Sequence, residues 1–178
     1  MLNNSSGSRD NHSLLPHIVF SHGKESGPWG TKITHLAARA KRCGCSVQSI
    51  DYTCTTNPDE RVEILLDSVT PTDKPLILVG SSMGGYVSVV ASRVIRPRGL
   101  FLLAPALYLP GHGVQEPVPF AETIEIVHGW GDDIVPPENS IRFARLYRTT
   151  LHMIDGDHPL NGQVDVIGEW FERYLKAQ

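Results

Sequence analysis

The sequence predicts an α/β protein: a three-layer α/β/α sandwich with about six mostly parallel strands. Three observations lead there. Short apolar runs alternate with longer amphipathic ones from residue 15 to the C-terminus. The run at 75–80, ProLeuIleLeuValGly, is apolar without interruption, as expected of a strand buried on both faces. The amphipathic stretches between the apolar runs supply the helical crossovers that parallel strands need.

The elements follow in order. HisIleValPhe at 17–20 is a strand ending at SerHisGly. Residues 29–42 read as a helix, with Ile33, Leu36, Ala37 and Ala40 at helical spacing and Gly44 as a stop. Residues 46–52 are β-rich. Residues 58–68 are helical: Asn57 can cap, Pro58 suits the first turn, and Val62, Leu65 and Leu66 make the apolar stripe. After the strand at 75–80, a helix runs from 83 to about 95 and stops at Pro97, and 99–104 is the next buried strand. Pro105, Pro110, Gly111, Gly113, Pro117 and Pro119 make 105–120 a loop or at most a short helix. A strand at 123–128, a helix at 137–147 and a strand at 150–154 follow. The closing helix, 164–175, carries Val164, Ile167, Trp170, Phe171 and Tyr174 on one face.

Composition sets the class. The chain has 178 residues, which predicts a single domain. It is 40% hydrophobic and 20% charged, an ordinary globular balance. Residues 1–14, rich in Asn, Ser and Gly, read as a disordered leader, leaving 15–178 as the domain. They lack the basic-then-apolar order of a secretory signal. Sixteen Lys and Arg against nineteen Asp and Glu give a net charge of −3, and no electrostatic reason to expect nucleic acid. No stretch approaches the ~20 apolar residues of a membrane span. Cys43, Cys45 and Cys54 are an odd number of thiols with no metal-ligand spacing. They read as free thiols in a reducing cytoplasm, with no disulfide scaffold and no bound metal.

Gly80-Ser81-Ser82-Met83-Gly84 matches GxSxG and lies between the strand at 75–80 and the helix from 83. That setting is what a nucleophile elbow requires. The glycines let the backbone turn sharply and let strand and helix approach, holding Ser82 at the carboxyl edge of the sheet. Met83 then offers a backbone N–H to a developing oxyanion. Two other readings fit such a turn: a serine that caps the helix, or a phosphate cradle. Neither the dinucleotide GxGxxG nor the GxxxxGK[ST] phosphate loop is present.

A serine hydroxyl needs a base, and the base an orienting acid. His128-Gly129-Trp130-Gly131-Asp132-Asp133 begins at the end of the strand at 123–128, and Asp155-Gly156-Asp157-His158 follows the last strand. Both groups therefore reach the sheet edge that holds Ser82. The chain order Ser82, Asp132, His158 is that of the α/β-hydrolases.

With these three motifs, residues 15–176 resemble a minimal member of the α/β-hydrolase superfamily without a cap domain, similar to small capless bacterial serine hydrolases and esterases. The resemblance implies several assignments. His-Gly-x-x-Asp-x-x-Val-Pro falls on 128–136 and selects Asp132 over Asp133. Ser21-His22-Gly23-Lys24 matches the His-Gly after the first core strand. It implies Lys24 as the second oxyanion N–H, with His22 and Gly23 as structural support. The two leading antiparallel strands of larger members are missing, and 105–120 is the one candidate lid.

The expected activity is hydrolysis of a small carboxylic ester or thioester through an acyl-enzyme. Ser82 is the nucleophile, His158 the base and Asp132 the acid, with no cofactor. Trp29, Leu107, Tyr108 and Leu109 are candidates for the pocket wall or, equally, for core or surface packing, and Asp157 either acts on the His158 imidazole or faces solvent. Amide or peptide hydrolysis would use the same residues. A binding protein on a retained hydrolase fold would need none of them.

Overall fold

A computed structural model describes residues 15–70 and 72–178. The expected leader at 1–14 lies outside the described residues. The elements run β1 (His17–Ser21), α1 (Thr31–Arg42), β2 (Ser46–Ile50), α2 (Pro58–Ser68), β3 (Leu76–Ser81), α3 (Met83–Ile95), β4 (Gly99–Leu103), β5 (Thr123–Gly129), α4 (Pro137–Tyr147), β6 (Thr150–Ile154) and α5 (Val164–Lys176). Residues 104–122 form no helix or strand.

The six strands lie in the order β2-β1-β3-β4-β5-β6, and every pairing is parallel. Alternation along each strand sorts the core into two layers. Ile18, Phe20, Ile77, Val79, Phe101 and Leu103 point to the face covered by α1 and α5. Val19, Leu78, Leu100, Leu102 and Ile126 point to the face covered by α2, α3 and α4. On the first face Phe171 meets Phe101 with ring centroids 4.9 Å apart. Phe171 is fully buried, so truncating it to alanine would cost about 3–5 kcal/mol.

Helix ends follow local chemistry. The Asn57 side chain accepts the N–H groups of Asp59 and Glu60 at 2.9 and 3.4 Å, with Pro58 in the first turn. Helix α1 starts at Thr31, two residues later than the periodicity suggests, because Gly30 is still extended (φ −62°, ψ 167°).

The chain leaves β1 toward β2 on one side, then crosses back to β3 on the other. At that reversal the segments following β1 and β3 diverge to opposite faces, and a crevice opens beyond the carboxyl ends of the two strands. The loops bordering it are 22–30 and the turn at Ser82.

Candidate active site

Ser82 occupies the turn between β3 and α3 with φ 53° and ψ −120°, in the left-handed half of conformational space that a side chain rarely adopts. Close packing enforces this. A Cβ on Gly80 would lie 2.3 Å from Gly84 O, and one on Gly84 would lie 2.0 Å from Ser21 O. Only glycine lets α3 start so near β1 and β3. The Ser82 side chain makes no capping hydrogen bond to α3. Its Oγ instead lies 2.9 Å from His158 Nε2.

His158 Nδ1 lies 2.7 Å from Asp132 Oδ2. Because a carboxylate only accepts, Nδ1 carries the proton and Nε2 is left to accept the Ser82 hydroxyl. Asp132 is buried, and its other oxygen accepts the N–H groups of Ile134 and Val135 at 2.9 and 2.8 Å. Burial works against its charge. The Val135 N–H, the His158 imidazole and the Ile134 N–H outweigh it and hold the carboxyl below the usual carboxylate range. Asp133 is exposed and makes no hydrogen bond to this network. The acid and base loops are joined by backbone: Trp130 N–H donates to Ile154 O and Gly131 N–H to Gly156 O, at 2.8 and 2.9 Å. Asp157 is exposed and turns inward on its own loop, where its Oδ1 accepts the Leu160 N–H at 2.9 Å.

The loop after β1 sits beside the nucleophile. Gly23 lies close enough that a Cβ built on it would come within 3.5 Å of Ser82 Cβ. His22 is fully buried; its Nδ1–H donates to Gly23 O at 2.7 Å, and its Nε2 accepts the Tyr52 N–H at 3.0 Å. Burial lowers its pKa, consistent with this neutral form. Among the described residues, neither the Lys24 N–H nor the Met83 N–H donates to another protein group. Both are free to face an incoming oxygen.

These groups open on a cleft of about 760 Å³ lined by Lys24, Lys32, Met83, Leu109, His112 and His158, among others. Of the four expected wall residues, Leu109 alone lines it. Leu107 is fully buried in the core under α2, α3 and α4, so its side chain points away from the cleft. Tyr108, at φ 59°, packs half-buried against the core under α2, α3 and α4 and stacks beneath the Arg142 guanidinium at 4.0 Å. Trp29 projects into solvent, 52% exposed, because α1 begins only after it.

Residues 105–120 are pinned rather than poised as a lid. Asp59 accepts the Tyr86 hydroxyl at 2.6 Å and the Gly113 N–H at 2.9 Å. His112 stacks on Tyr86 at 4.4 Å, and Asn139 donates to Leu107 O at 2.8 Å.

Two functional candidates had no role assigned to them by the sequence. Lys32 lines the cleft, where burial lowers its ammonium pKa to about 8 against the pull of Asp157 and Asp132. His128, the first residue of the motif at 128–136, has its Nε2 3.0 Å from Asp132 Oδ2. Among the described residues, no three or more His, Cys, Asp or Glu side chains are grouped to hold a metal, and no helix is long and apolar enough to cross a membrane. Cys43, Cys45 and Cys54 are free.

No protein-family model matches this sequence, and no curated protein does so. Solved structures do. A protein from Xanthomonas campestris pv. campestris named as a hydrolase of the alpha/beta superfamily is 29% identical; the match covers 91% of this chain and 99% of that one, with a TM-score of 0.82. A second X. campestris protein, described as an a/b serine hydrolase without lid, is 20% identical over 96% of this chain and 85% of its own, with a TM-score of 0.76. Mouse alpha/beta hydrolase domain-containing protein 10 is 20% identical over 90% of both chains, with a TM-score of 0.71. The last two speak for the fold alone. Its sheet, its elbow and these likenesses together make this chain a member of the α/β-hydrolase superfamily, in a minimal form with no cap domain among the described residues.

Proposed function

We propose that this chain is a serine hydrolase that cleaves small carboxylic esters or thioesters through an acyl-enzyme. The observation that carries the reading is the continuous hydrogen-bonded line Ser82 Oγ, His158, Asp132 at the edge of an open cleft, with 2.9 and 2.7 Å between successive groups.

Ser82 Oγ attacks the acyl carbonyl while His158 Nε2 takes its proton. The carbonyl oxygen becomes an oxyanion facing the N–H groups of Lys24 and Met83, each such donor being worth about 3 kcal/mol in the transition state. Asp132 holds the imidazole in the Nδ1–H tautomer and stabilises the imidazolium. His158 returns the proton to the departing alkoxide or thiolate, which leaves the acyl group on Ser82. Water, deprotonated by His158, then attacks the acyl-enzyme and releases the acid.

The direct test is a fluorophosphonate probe followed by mass spectrometry, alongside turnover of p-nitrophenyl acetate and an acetyl thioester. Wild type is expected to carry one adduct on Ser82, and Ser82→Ala none. A folded wild type that neither labels nor turns over would leave a binding role on a hydrolase fold. Equal labelling of folded Ser82→Ala would move the nucleophile elsewhere.

A further inference from the structure

Arg61 is the largest fully buried side chain among the described residues, 1% exposed, and its surroundings are unusual for an arginine. Among the described residues no carboxylate lies within ion-pair distance of it. Its partners are main-chain carbonyls. Nε donates to Thr55 O at 2.9 Å, and Nη1 reaches Gly23 O at 3.2 Å and His22 O at 3.5 Å. The guanidinium carbon also sits 5.4 Å from the Tyr52 ring centre. A buried cation without a counter-charge is expensive to keep. Helix α2 therefore carries a costly group whose Nε is held by the loop before α2 and whose Nη1 reaches the loop after β1.

A trans peptide unit is planar, with its C=O and N–H on opposite edges. Gly23 O and the Lys24 N–H belong to one such unit. Holding the carbonyl therefore aims the N–H. Gly23 O receives the His22 Nδ1–H at 2.7 Å and Arg61 Nη1 at 3.2 Å, two donors fixed by other elements. His22 is itself held by the Tyr52 N–H beyond β2. With its carbonyl clamped from one side, the Gly23–Lys24 unit has no freedom to turn the N–H away from the cleft. The guanidinium charge also draws electron density through the amide, which strengthens the N–H as a donor.

Building on the acyl-transfer reading of the cleft, we propose that Arg61 is a positioning residue that aims the Lys24 N–H at the oxyanion by clamping the carbonyl of the same peptide unit. It never touches substrate. Its contribution falls on the transition state, where the carbonyl oxygen becomes charged, rather than on substrate binding.

The test compares wild type with Arg61→Met and Arg61→Lys by steady-state hydrolysis of p-nitrophenyl acetate and by the amide signal of Lys24 in ¹⁵N NMR. Arg61→Met is expected to lower kcat about 10- to 100-fold, within the range set by losing one oxyanion donor, while KM stays within about threefold. Its Lys24 amide is expected to shift and to exchange with solvent faster. Arg61→Lys keeps the charge but cannot bridge Thr55 O and Gly23 O together, so it is expected to fall between. If Arg61→Met fails to fold, Arg61→Lys carries both readouts. A Lys24 signal identical to wild type in the folded variants overturns the proposal, as does a loss confined to KM. A wild type without hydrolase activity would sink the acyl-transfer reading instead, and the Lys24 amide would still decide whether Arg61 orients this loop.

Discussion

The buried imidazole of His128 lies 3.0 Å from Asp132 Oδ2, the same oxygen that faces His158 Nδ1 at 2.7 Å. The His128 Nδ1 faces Ser140 Oγ at 2.7 Å, and its Nε2 also meets Val135 O at 3.1 Å. Nε2–H thus donates to Val135 O with the acid's Oδ2 beside it, while Nδ1 accepts the serine hydroxyl. His128→Phe removes that donor and leaves Ser140 unpaired, so kcat is expected to fall about tenfold or more, with a lower Tm.

The same variant tests a pH dependence. Burial holds the His128 pKa below its ordinary value of 6.5, and burial lowers His22 and His112 likewise. The unfolded chain therefore binds more protons than the folded one as pH falls below 6.5, and stability declines there. Tm is expected to drop between pH 7 and pH 5, less steeply in His128→Phe. Parallel curves for the two proteins would contradict this account.

Asp132 and Asp133 are adjacent acids with different fates: the first is buried among N–H donors, the second exposed. Asp132→Asn is expected to lower ester turnover by about 10⁴-fold, the reference loss for an orienting acid. Asp133→Asn should stay within about threefold of wild type. The opposite ranking in folded variants would reassign the acid.

Lys32 makes no ion pair or hydrogen bond among the described residues, although it lines the cleft. An acyl group bearing a carboxylate would meet its ammonium. Wild type is expected to prefer p-nitrophenyl hemisuccinate over p-nitrophenyl butyrate in kcat/KM, and Lys32→Met to lose that preference. With its pKa near 8, the preference of wild type should also fade between pH 7 and pH 9. Burial penalises the charged form, so the penalty is present below about pH 8 and is relieved as pH rises toward 10.5. Lys32→Met should accordingly raise Tm at pH 7. An unchanged substrate ratio in the variant would remove Lys32 from specificity.

Chain-length preference should follow from the anchored segment 105–120. Asp59, Tyr86 and Asn139 tie it to α2, α3 and α4, so it cannot fold over a long acyl chain. Each extra methylene can add ~0.8 kcal/mol only if it is buried. Across p-nitrophenyl esters from acetate to palmitate, kcat/KM is expected to peak at short acyl groups, without activation by micelles. A maximum at palmitate would mean that this segment opens.

The order of strands and helices, the elbow at Ser82 and the positions of Asp132 and His158 after strand ends were all legible in the sequence. Each rests on local chemistry: an apolar period, a glycine that lets two backbones touch, a carboxylate or imidazole placed by its distance from a strand. Contacts between separate elements were not legible. Leu107, Tyr108 and Leu109 are neighbours in one loop, yet they end in the core, under Arg142 and in the cleft. The positive φ of Tyr108 and the register of the loop against α4 decide this, and no periodicity encodes either. His128 beside Asp132, Lys32 on the cleft and Arg61 beneath Gly23 were equally hidden. A lysine and an arginine outside any motif, and a histidine that only opens one, show no role until the fold determines what stands opposite them. For Arg61 the distant partners are main-chain carbonyls 38 and 39 residues away, groups that every residue of a chain possesses.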